Sequence, residues 1–198
     1  ARKDPDLAVI EGIQALKHAV RFNAELLEIA TCDIPLAEKT LATLAPDISH
    51  MILDRAQLVE EAVFNKLSPQ PPRTKIIALA KRKIWQIADV VKERPLIFLE
   101  DPRDLENIGA VIRVAAAANS GGVCITGDTD VWHPGILRGS AGLHYALPVL
   151  QIKSLQTLQK ALPKERTVFG LDPEGKSLED TPLDVAGIYV FGTERHGI

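Results

Sequence analysis

Cysteine occurs only twice, at Cys32 and Cys124. Two thiols so far apart in the chain supply neither a disulfide framework nor a zinc cluster, and this usage suits a reducing cytoplasm. No apolar run approaches the length of a membrane span, so no membrane partner is expected. His133, His144 and His196 fall at no ligand-like spacing, and His18 and His50 read as structural, so no metal is expected. The G-x-G-x-x-G dinucleotide fingerprint and the P-loop are both missing, which removes the ordinary Rossmann and nucleotide-hydrolase readings.

What remains is an α/β pattern of ordinary composition, 46% apolar and 25% charged in 198 residues. The net charge of −3 is unevenly spread: residues 1–95 sum to +1 and residues 96–198 to −4. Arg73, Lys75, Lys81, Arg82 and Lys83 form a basic run with no acid between them. Such a run either attracts phosphates or forms a solvated linker, and on charge alone both readings stand.

Residues 1–80 alternate helix and strand as a small α/β domain. The pattern predicts a helix over Ile13, Leu16, Ala19 and Val20, a strand over 26–30, and a second helix opened by Pro35. A strand follows over 48–53, then a helix over 57–65 and a strand over 76–80. Residues 81–94 form a basic linker ending before Pro95. From 95 to 198 the strands are apolar throughout, as in a parallel sheet covered on both faces. They are expected at 96–99, 123–126, 146–152, 167–171 and 187–191, with helices at 107–119, 134–143 and 155–162.

Ligands of open α/β sheets bind beyond the carboxyl ends of the strands. Four loops qualify: Glu100–Asn107, Gly127–Pro134, Asp172–Gly175 and Gly192–Gly197. In the helix after the first loop, Arg113 has only Gly109, Ala110, Ala116 and Ala117 three and four residues away, and no other charge lies between Asn107 and Ser120. A charge left bare in this way is accessible to a ligand. Asn107 reads either as a site residue or as a helix cap in competition with Asp104. Gly192 and Gly197 read either as a tight turn or as a close approach to a ligand, with Glu194 between them.

Two of these loops carry a specific resemblance. Asp101-Pro102, Asn107-Ile108-Gly109-Ala110 and Arg113 are followed by Arg138-Gly139-Ser140-Ala141-Gly142 and Leu147-Pro148-Val149. Phe191-Gly192-Thr193-Glu194-Arg195-His196-Gly197 then supplies a strand followed by Gly-x-Glu-x-x-Gly. In this order they resemble the first and second motifs of SpoU-type methyltransferases of the SPOUT class, over residues 95–198. Asn119 and Thr193 depart from the usual Gly and Asn. Residues 1–80 more loosely resemble the substrate-binding domain attached to such enzymes, similar to a small RNA-binding ribosomal protein.

The resemblance implies a parallel-sheet catalytic domain, with a deep trefoil knot in the complete protein. It implies methyl transfer from S-adenosylmethionine to a ribose 2′-hydroxyl of structured ribosomal or transfer RNA, by a homodimer. Arg113, Asn107 and Glu194 take the catalytic positions; Leu171, Gly192, Thr193, Gly197 and Ile198 border the cofactor. Arg73, Lys75, Lys81, Arg82, Lys83 and Arg138 are the candidate RNA contacts. The third family motif does not follow the second, and the chain starts without Met, as expected of a fragment. The alternative is a non-catalytic RNA-binding protein with an inert methyltransferase-like domain, disfavoured by the joint retention of Arg113 and Glu194.

Overall fold

The computed structural model describes residues 4–90, 93–162, 165–193 and 197. In chain order the first elements are β1 (Leu7–Glu11), α1 (Ile13–Arg21), β2 (Leu26–Thr31), α2 (Ile34–Leu44), α3 (Ser49–Leu53), β3 (Ala56–Leu58), α4 (Glu61–Leu67) and β4 (Ile76–Lys81). There follow β5 (Leu96–Leu99), α5 (Leu105–Ala117), β6 (Gly122–Ile125), α6 (Pro134–Gly139), β7 (Val149–Gln151), α7 (Leu155–Ala161), β8 (Val168–Leu171) and β9 (Ile188–Phe191). They form two compact units, and the division is not a single cut. Residues up to Lys83 and the later segment Trp132–Ala146 make the first; Ile84–Val131 and the chain from Leu147 make the second.

The first unit is built on a mixed sheet in the order β1-β4-β2-β3, antiparallel except for the β2–β3 pair. Ile10, Ile13, Leu16, Ile29, Leu41 and Ile52 are fully buried. Asp33 starts α2 by accepting the Leu36 N–H at 2.9 Å, with Pro35 in the first turn. The excursion Trp132–Ala146 contributes α6, which packs on β1, and a 3-10 turn over Leu143–Tyr145, which packs on α1. Trp132 meets the Tyr145 ring edge-on at 5.2 Å. No periodicity in the sequence signals that this segment belongs with the first unit.

Three expected elements differ, and one strand is unexpected. The apolar stretch before Gly12 is a buried strand, β1, where none is expected from the sequence. Residues 48–53 are helical, with a 3-10 turn Pro46–Ile48 leading into α3. A short apolar run does not distinguish strand from helix, and Pro46 favours a helical first turn. The helix expected over 57–65 is β3 followed by α4, shifted to Glu61–Leu67. The helix expected over 134–143 stops at Gly139, because Ala141 and Gly142 take positive φ of 54° and 77°.

The second unit has five parallel strands in the order β7-β6-β5-β9-β8. Leu96, Phe98, Cys124, Leu150, Leu158, Ile188 and Val190 form its buried core. Apolar residues on both faces of each strand explain why the runs are continuous rather than alternating. No helix among the described residues is long and apolar enough to cross a membrane.

Candidate functional site

The parallel strands of the second unit end together at one edge, where their loops are tied to one another. After β5, the Glu100 N–H donates to the Phe191 carbonyl at 3.0 Å, and the Asp101 N–H donates to Thr126 Oγ1 at 2.9 Å. Asp101 is held at φ 38°. Gly127, at φ 87°, lies so close beneath it that a Cβ there would overlap the Asp101 carboxylate. Thr129 Oγ1 donates to the Pro102 carbonyl at 3.0 Å, and Gln151 Nε2 donates to the Gly127 carbonyl at 2.7 Å. The loops after β5 and β6 and the last residue of β7 are thus one hydrogen-bonded shelf. Arg103 donates to Asp101 Oδ2 at 2.7 Å, and this hydrogen bond raises the guanidinium pKa above its ordinary value.

Helix α5 starts from this shelf. Asp104 is its cap, with Oδ1 accepting the Glu106 N–H at 2.8 Å and the Asn107 N–H at 2.9 Å. The competition left open in the sequence is settled: Asp104 caps, and Asn107 is an exposed residue in the first turn. Arg113 is also exposed, and among the described residues no hydrogen bond or ion pair reaches it. It lies about 12 Å along the helix from Leu105, at 1.5 Å per residue. Nothing polar therefore joins Arg113 to Leu171, Gly192 or Thr193, although all stand on the same unit.

Beside the shelf, β8 and β9 run in register, with Leu171 opposite Phe191. The loop after β9 is closed by a two-way bridge: Thr193 N–H to the Gly197 carbonyl at 2.8 Å, and Gly197 N–H to the Thr193 carbonyl at 3.1 Å. Gly197 takes φ 67°, a reason for glycine at the closing position. A groove of about 520 Å³ runs along β8, lined by Phe169, Leu171, Asp172, Gly175, Leu178 and Leu183. Asp172 and Lys176 add one charge of each sign to its largely apolar lining, which suits a ligand with both apolar and charged parts. A second hollow of about 720 Å³ lies beyond β6 and β7, lined by Gly127, Asp128, Gln151, Ile152, Lys153 and Thr157. Glu194 and Ile198 lie outside the described residues. Among the described residues no cluster of three or more His, Cys, Asp or Glu side chains is placed to hold a metal.

The basic candidates all lie in the first unit, and most have intramolecular partners. Lys75 pairs with Glu61 at 3.0 Å, a hydrogen bond that raises its pKa, and Lys81 pairs with Glu25 at 2.7 Å. Arg82 Nε donates to the Leu7 carbonyl at 2.8 Å and Lys83 Nζ to the Tyr145 carbonyl at 3.2 Å. Arg138 reaches Glu11 and Gln70. Arg73 is exposed and among the described residues has no such partner. The sequence reading missed the groove side chains Phe169 and Leu183 and the Asp101–Gly127 stitch. Asp101-Pro102 and the Gly in the next loop were visible signals, but the left-handed φ values that join them were not.

Known proteins narrow the reading. Residues 94–198 match the family model described as the SpoU rRNA Methylase family. The chain is 38% identical over 183 residues to rRNA methyltransferase 3B, mitochondrial, of Danio rerio, covering 84% of this chain and 40% of that protein. It is 34% identical over 103 residues to the Mus musculus rRNA methyltransferase 3, mitochondrial, covering 51% of this chain and 25% of the mouse protein. The chain thus spans well under half the length of these curated relatives. Its fold is similar to that of the SpoU methyltransferase AviRb from Streptomyces viridochromogenes, crystallised with AdoMet. The TM-score is 0.76 at 18% identity, over 96% of this chain and 74% of that one. A crystallised RNA 2′-O ribose methyltransferase matches with TM-score 0.75 at 22% identity, over 100% of this chain and 75% of that one.

Proposed function

Because the chain belongs to the SpoU rRNA methylase family, we propose that it transfers a methyl group from S-adenosylmethionine to a ribose 2′-hydroxyl of ribosomal or transfer RNA. The observation that carries this reading is the family match over 94–198, which spans both loops and the bare Arg113 between them. The cofactor supplies an electrophilic methyl on a sulfonium. The 2′-oxygen forms the new C–O bond as the S–C bond breaks, and the hydroxyl proton must leave to a base.

Arg113 is not that base, since a guanidinium stays protonated. Its roles are to hold an RNA phosphate and to stabilise negative charge growing on the oxygen. Glu194 is the carboxylate assigned to take or orient the proton, and Asn107 orients the ribose. Leu171, Gly192, Thr193, Gly197 and Ile198 border the cofactor, and of these Leu171 lines the groove along β8. The first unit grips structured RNA, with Arg73 the open cation of its basic run.

A two-fold dimer belongs to the same proposal; Val114, next to Arg113, is 64% exposed and offers an apolar surface on α5. So does a trefoil knot in the complete protein. A reducing compartment such as the cytoplasm is also part of the proposal, and the free thiols of Cys32 and Cys124 support it.

The test is methyl incorporation from labelled S-adenosylmethionine into total ribosomal and transfer RNA by the full-length protein, with the product mapped for 2′-O-methyl nucleotides. Base methylation would overturn the ribose assignment. Absence of cofactor binding in calorimetry would favour the inert RNA-binding module.

A further inference from the structure

Arg138 resembles a phosphate contact in sequence, but its surroundings assign it another task. Its guanidinium donates through Nη1 to Glu11 Oε2 at 3.4 Å and through Nη2 to Gln70 Oε1 at 3.2 Å. The Glu11 side chain is only 3% exposed, at the end of β1, whereas that of Arg138 is 44% exposed. A buried carboxylate is expensive to leave without its cation. A phosphate approaching the same guanidinium would meet that carboxylate as a like charge.

The fork stands on α6, inside the excursion that leaves the second unit after Val131 and returns to it at Leu147. The rest of the excursion is fastened in the same sense. His18 Nδ1 is 2.8 Å from the Ala141 carbonyl, Gly142 lies with its Cα against the Ala15 backbone, and the Tyr145 hydroxyl donates to the Lys81 carbonyl at 3.0 Å. Immediately before the excursion comes the loop whose Thr126, Gly127 and Thr129 build the shelf under Asp101 and Pro102.

We propose that Arg138 is a positioning residue: it clasps the β6–β7 connection to Glu11 and Gln70 on the first unit, and it does not contact RNA phosphate. The clasp stands whether or not the chain transfers methyl groups.

Hydrogen exchange on the full chain tests the clasp directly. Arg138→Ala is expected to speed amide exchange over residues 132–146 at least tenfold, with β5 unchanged. Glu11→Gln should do the same, and the double variant should be no worse than the worse single one. Affinity for poly(U) RNA measured against salt should keep its slope in Arg138→Ala. Unchanged exchange, together with a slope reduced by about 0.7 (one phosphate on a single strand), would overturn the proposal. Should Arg138→Ala fail to fold, Arg138→Lys decides. It keeps the charge but cannot bridge both partners, so faster exchange supports the clasp and wild-type exchange overturns it. A wild-type chain that transfers no methyl group sinks the functional reading alone, and the exchange result still judges the clasp.

Discussion

At Arg113 the structure leaves a cation on a helix of small residues, exposed and without a partner among the described residues. Losing it removes no hydrogen bond or ion pair among the described residues, so Arg113→Ala should change folding stability by no more than about 0.5 kcal/mol. Losing a preorganised donor for developing charge should remove about 2–4 kcal/mol of transition-state stabilisation. Single-turnover methyl transfer with the full-length protein, set beside a denaturant melt, separates the two effects; an unchanged rate would take Arg113 out of the mechanism. Gly127 predicts the opposite pattern. Its φ of 87° and the Asp101 carboxylate above it both resist a side chain, so Gly127→Ala should cost about 1–3 kcal/mol. The cost would appear as a lower denaturation midpoint.

For helix α5 the cap carries the energy. Asp104→Ala strips the acceptor from two backbone N–H groups and should cost about 1 kcal/mol, while Asp104→Asn should retain most of the stability. Because Asn107 lies in the turn that the cap organises, the Ala variant should also slow methyl transfer, measurable at saturating cofactor. The same helix shows what the sequence made legible. Small residues around Arg113 and an acid three residues before Asn107 identified the helix and both candidate caps, and the parallel strands were read correctly from their unbroken apolar runs. Residues 48–53 and 57–65 were misread because short apolar runs carry no decisive period. The left-handed Ala141 and Gly142 that end α6 answer to tertiary packing on Ala15, which no local pattern records.

Across the whole molecule, alkaline pH is the predicted weakness. Burial pushes the Cys124 thiol up to about 12, and burial likewise raises the Tyr145 hydroxyl well above its ordinary value. Both acids keep their protons in the folded protein where the unfolded chain releases them. The folded state then binds more protons, and stability falls as pH rises above about 9. Each group out of balance contributes a slope of about 1.4 kcal/mol per pH unit. Denaturant melts from pH 8 to 11 should show the decline, and Cys124→Ala should make it shallower; equal slopes would mean that Cys124 does not titrate between the two states. The proposed dimer is checked by sedimentation velocity at micromolar concentration, where a monomer of the full-length protein would count against it.

The excursion of Trp132–Ala146 into the first unit has a consequence for synthesis. A ribosome delivers the chain from its amino end, yet the first unit needs Ala141 beside His18, 123 positions away in sequence. Residues up to Lys83 therefore emerge with β1 and α1 uncovered, and they wait while β5, α5 and β6 are made. Nascent chains released at about residue 100 should be digested by protease throughout, whereas chains released past Leu147 should protect the amino-terminal half. The unit that appears first is finished only after strands of the second have been translated.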